Sequence, residues 1–94
     1  MQFTQSEIDA IIESALFFRD SFADPNDPED VELHKNIDSF IFRLESGMIK
    51  QFTRGEFKNI CIFLSDFIEK APKIRNLAVH QELLDHLTAV LLLP

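Results

Sequence analysis

The segment His80-Gln81-Glu82-Leu83-Leu84-Asp85-His86 brings two imidazoles and two carboxylates into one short stretch, the side chains a metal ion would need. A helical zinc site places His at i and i+4, one above the other on the same face. Here the two His are six residues apart, which leaves them about 120° from each other around a helix. Glu82 and His86 are four apart and can pair on a helix surface, and His34 holds a comparable place earlier in the chain. The spacing therefore describes amphipathic-edge side chains. A metal-dependent helical protein built on His80, Glu82 and His86 stays as an alternative with the wrong ligand geometry.

Other chemistry-bearing residues have simpler explanations. Asp24-Pro25-Asn26-Asp27, followed by Glu29 and Asp30, looks like a calcium loop, but it lacks the glycine at position 6 and the bidentate Glu at position 12. An acidic turn ending in a helix cap accounts for it. Cys61 lies inside Ile60-Cys61-Ile62-Phe63-Leu64, where a thiol is a small core side chain rather than a nucleophile. No serine lies in a nucleophile elbow, and the two glycines form no phosphate-cradling loop. The sequence assigns no catalytic residue, no cofactor and no metal, and no enzyme is expected.

Glu7 and Glu56 belong instead to the elements. Phe3-Thr4-Gln5-Ser6-Glu7-Ile8 and Phe52-Thr53-Arg54-Gly55-Glu56-Phe57 are two copies of one helix start. In each, the Thr hydroxyl accepts from the N–H three residues on, the Glu reaches back to the Thr N–H, and a Phe precedes the cap as a staple. The apolar spacing beyond them also matches: Ile8, Ile11, Ala15 and Phe18 against Phe57, Ile60, Leu64 and Phe67. The chain thus reads as two related helical hairpins offset by 49 positions.

Periodicity predicts helices over about Gln5 to Phe22, Pro28 to Ser46, Arg54 to Ala71 and Lys73 to Leu92. Pro25 ends the first; Asp27 caps the second, with Pro28 at its first position. Gly47 suits the left-handed residue after the second helix. Ile74, Leu77, Leu84, Leu87 and Leu91 mark the core face of the fourth, flanked by Leu83 and Val90. Short links between four helices predict an all-α, four-helix up-down antiparallel bundle, one domain over residues 1–94. In that topology the acidic turn from Asp24 to Glu32 lies at the same pole as Lys70, Lys73 and Arg75, and these charges are expected to offset one another.

Composition limits the partners. Sixteen Asp and Glu against nine Lys and Arg give a net charge of −7, which argues against nucleic acid and against an anionic membrane surface. The charge is uneven: residues 1–47 carry 11 acidic and 3 basic side chains, about −8, and residues 48–94 carry 5 and 6, about +1. One cysteine fits a reducing compartment, no signal peptide is visible, and no apolar run spans a bilayer; a cytoplasmic protein is expected.

What remains is apolar surplus. Phe17, Val31, Phe42, Ile62 and Phe63 fall off the stripes their own helices use. Large exposed apolar groups that cluster mark binding surfaces. Phe17 and Phe42, on sequential antiparallel helices at similar distances from the connecting loop, are expected to share one patch. The expected function is a small acidic, non-enzymatic protein-interaction module, a regulatory or inhibitory homodimer or the holder of another protein. The architecture also resembles that of small acidic bacterial helical bundles, among them bacteriocin- and toxin-immunity proteins. That resemblance implies an alternative, an immunity-type or antitoxin inhibitor whose acidic surface covers a basic partner.

Overall fold

The computed structural model describes residues 3–22, 24–47, 52–71 and 76–93. They form four helices, α1 (Gln5–Asp20), α2 (Pro28–Glu45), α3 (Arg54–Lys70) and α4 (Ala78–Leu91), packed as an all-α up-down bundle.

Both expected capping boxes are present. The Glu7 N–H donates to Thr4 Oγ1 at 3.2 Å, and the Thr4 N–H donates to Glu7 Oε1 at 2.8 Å. The Glu56 N–H and Thr53 N–H make the same reciprocal pair, both at 3.1 Å. Each box satisfies two backbone donors that a bare helix start would leave unpaired. α1 and α3 run parallel, so the two staple rings come together: Phe3 meets Phe52 edge-on, with centroids 5.2 Å apart. Asp27 caps α2 through a 2.9 Å bond from the Glu29 N–H, with Pro28 in the first turn. Gly47 follows α2 at φ +71°, the left-handed conformation expected of it.

α4 differs from expectation. It starts at Ala78, five residues later than the pattern suggests, behind a turn in which Asn76 Oδ1 accepts the Ala78 N–H at 3.0 Å. Residues 72–75 lie outside the described residues, and with them the expected roles of Pro72, Lys73, Ile74 and Arg75. The core face of α4 is also rotated: Leu83 and Leu87 are fully enclosed, whereas Leu84 is half-buried.

α1 is the hub, with backbone contacts to all three other helices, and its closest partner is α3. The small Ala10, Ser14 and Ala15 on its buried side let the neighbours approach. One core cluster joins Ile11, Leu44, Ile60, Leu64, Leu83 and Leu87 from all four helices. A second joins Ala15, Ile37, Ile41 and Phe63 between α1, α2 and α3. α2 reaches α3 only through side chains: among the described residues, no Cα of α2 lies within 8 Å of a Cα of α3.

Candidate functional site

The five apolar residues singled out by their spacing do not form one surface. Phe63 is a correction: it is 7 % exposed and belongs to the second core cluster, because α3 faces α1 and α2 together and so buries a wider arc than one stripe. Phe17 is half-buried, its ring edge-on to Phe67 of α3 at 5.3 Å. Around α1 it lies about 160° from Arg19, whose guanidinium reaches Asp38 of α2. Phe17 therefore turns away from α2, and Phe42 on α2 does not join it in a patch. Phe42 is 65 % exposed on the outer side of α2. Val31, 39 % exposed, lines a recess of about 280 Å³ at the α1–α2 turn with Phe22, His34 and Asp30.

Ile62 is different. Half exposed at 51 %, it stands on the wall of a groove of about 300 Å³ running between α2 and α3. Phe18 of α1 and the buried Ile37 and Phe63 form the floor; Leu33 and Phe40 complete the α2 wall. Asn36 and Asn59 place one amide on each wall, both exposed. The groove exists because the two helix backbones stand apart while their aromatic rings still meet: Phe40 and Phe63 have centroids 6.4 Å apart. At one end it is closed by Arg43 and Glu56, 3.5 Å apart. Periodicity marked Ile62 but could not show the groove, which depends on the distance between two helices.

Several titratable groups are engaged in structure. His80 is a second correction to the amphipathic-edge reading: it is 6 % exposed, stacked on Phe67 at 4.9 Å, with Nε2 3.0 Å from Glu13 Oε1. The carboxylate accepts from Nε2–H in that arrangement, and buried Nδ1 has no hydrogen-bond partner. Glu82 and His86 are both exposed. Among the described residues, no three His, Cys, Asp or Glu side chains converge on a point where a metal could sit. In the acidic turn, Asp24 accepts the Asn26 N–H and Asp30 accepts the Asp24 N–H, so these carboxylates hold the turn. Lys70 is drawn to Asp66 of its own helix at 2.7 Å, and that contact raises its pKa. The expected pairing of Lys70 across hairpins is not what it makes. Burial pushes the Cys61 thiol up, with the hydrogen bond to the Thr88 side chain acting against the shift. No described helix is long and apolar enough to cross a membrane.

No family model matches the chain, and no curated protein or solved structure is significantly similar to it.

Proposed function

We propose that the chain is a non-enzymatic, cytoplasmic protein-interaction module with a regulatory or inhibitory role, and that the α2–α3 groove is its working surface. The observation that supports this reading is Ile62, a large apolar side chain half exposed on the wall of an apolar groove. Apolar groups that line a recess together are the usual mark of a binding surface, whereas isolated ones such as Phe42 are ordinary. The net charge of −7 argues against nucleic acid and anionic membrane and for protein, another chain or a second copy of this one.

The uneven charge favours a second reading. With about −8 carried by residues 1–47, an immunity-type or antitoxin inhibitor would cover a basic partner site with the acidic surface itself.

The test is recovery of the tagged protein and an Ile62→Glu variant from the native host after cross-linking, with solution mass measured alongside. The groove reading expects a partner, or a dimer, that the variant loses. The surface-charge reading expects a partner that the variant keeps and that dissociates steeply as salt rises. A monomer that retains nothing under either condition would count against both.

A further inference from the structure

We propose that the α2–α3 groove takes an amphipathic helix from a partner protein, apolar on the side that enters and basic along its flanks. The proposal rests on the reading of this groove as the working surface and adds what fills it.

The shape fits a helix. Leu33 and Phe40 mark the α2 wall seven residues apart, about 10 Å at 1.5 Å per residue. A bound helix presents anchors at i, i+4 and i+7 over the same distance. The space is close to 300 Å³ and is lined from both helices, enough to seat a row of side chains. Asn36 and Asn59 flank the apolar floor with donors and acceptors on both sides.

The charge selects the kind of helix. Two cations near the groove are answered within the chain, Arg43 by Glu56 and Lys70 by Asp66. Glu29 and Glu32 are exposed one turn before Leu33 and Asn36 on the α2 wall. Both extend the α2 wall toward the open end, where α2 begins and α3 finishes. Exposed Lys58, a turn before Ile62, lies toward the end that Arg43 and Glu56 close. An incoming helix therefore meets carboxylates at the open end.

A second copy does not supply such a helix. α1 has one Arg against four Asp and Glu, α2 has two basic against five acidic, α3 three against three, and α4 none against two. None is net basic, and two chains of −7 repel.

The experiment pans the intact protein against a displayed library of 18-residue helices with apolar residues held at i, i+4, i+7 and i+11 and with Lys or Glu allowed equally elsewhere. The expected pool is enriched in Lys. Ile62→Glu, at an exposed site and with folding checked by circular dichroism, should weaken its binding about thirtyfold or more. The double variant Glu29→Lys, Glu32→Lys should reverse the preference toward Glu-rich helices. A pool no richer in Lys than the starting library, binding that survives Ile62→Glu, or no retained helix would each overturn the proposal. If the retained helices are lost with Phe42→Glu instead, the groove is wrong and the interaction reading stands. If no helix is retained and the host cross-linking is also empty, both fall.

Discussion

Arg43 and Glu56 stand 3.5 Å apart where the end of α2 meets the start of α3, and Glu56 serves both helices. Its Oε1 accepts the Thr53 N–H in the capping box, and its Oε2 faces the guanidinium without a hydrogen bond. One carboxylate thus starts α3 and closes the α2–α3 groove.

This dual use separates the two capping boxes. Glu7→Ala and Glu56→Ala should each destabilise the fold by about 1 kcal/mol through the lost cap. Glu56→Ala should exceed Glu7→Ala by a few tenths of a kcal/mol, since the Arg43 side chain is half exposed and such pairs contribute less than about 1 kcal/mol. Urea unfolding of both variants and of Arg43→Ala checks this. A larger loss from Glu7→Ala would contradict it.

Phe63 and Phe42, both off-stripe by spacing, should behave as opposites. Phe63→Ala leaves a cavity between α1, α2 and α3 and should cost about 3–5 kcal/mol. Phe42→Ala at an exposed site should stay within about 0.5 kcal/mol. Thermal melts of the two variants decide it; a comparable loss in both would mean that Phe42 packs against something.

Gly47 tests backbone strain alone. A Cβ there would meet nothing within 4 Å, yet φ is +71°. Gly47→Ala should therefore cost roughly 1 kcal/mol through the left-handed backbone and nothing through contact. An unchanged denaturation midpoint would show that the turn relaxes.

Cys61 provides the pH prediction. Burial raises the folded thiol's pKa, so the fold holds this proton more tightly than the unfolded chain does. The associated stability is complete below the pKa of the free thiol and is lost as pH rises through the higher folded value. Iodoacetamide should modify Cys61 much more slowly in the folded protein than in urea at the same pH. Equal rates would place the thiol in solvent.

His80 shows where periodicity stops being informative. Its neighbours Leu83 and Leu84 allow two settings of the α4 face, differing by the 100° between adjacent residues. Packing of Phe67 against the imidazole, with Glu13 at its edge, goes with the setting that buries His80 and Leu83. No local pattern distinguishes that polar ring from a surface one. Phe17 follows the same logic, since its partner Phe67 is 50 positions away.

The residues alone determined the four helices, both capping boxes, the glycine after α2 and the up-down order. Each depends on interactions within a few positions or on short links that reverse the chain from one helix to the next. Tertiary structure decided which surplus side chains stay outside. Phe63 went inward, Phe17 turned to α3, and Ile62 was left on a groove wall because the α2 and α3 backbones stand apart. Helix spacing comes from the sizes of the side chains between helices, Phe18, Phe40 and Phe63 among them, and those meet only when the chain has folded.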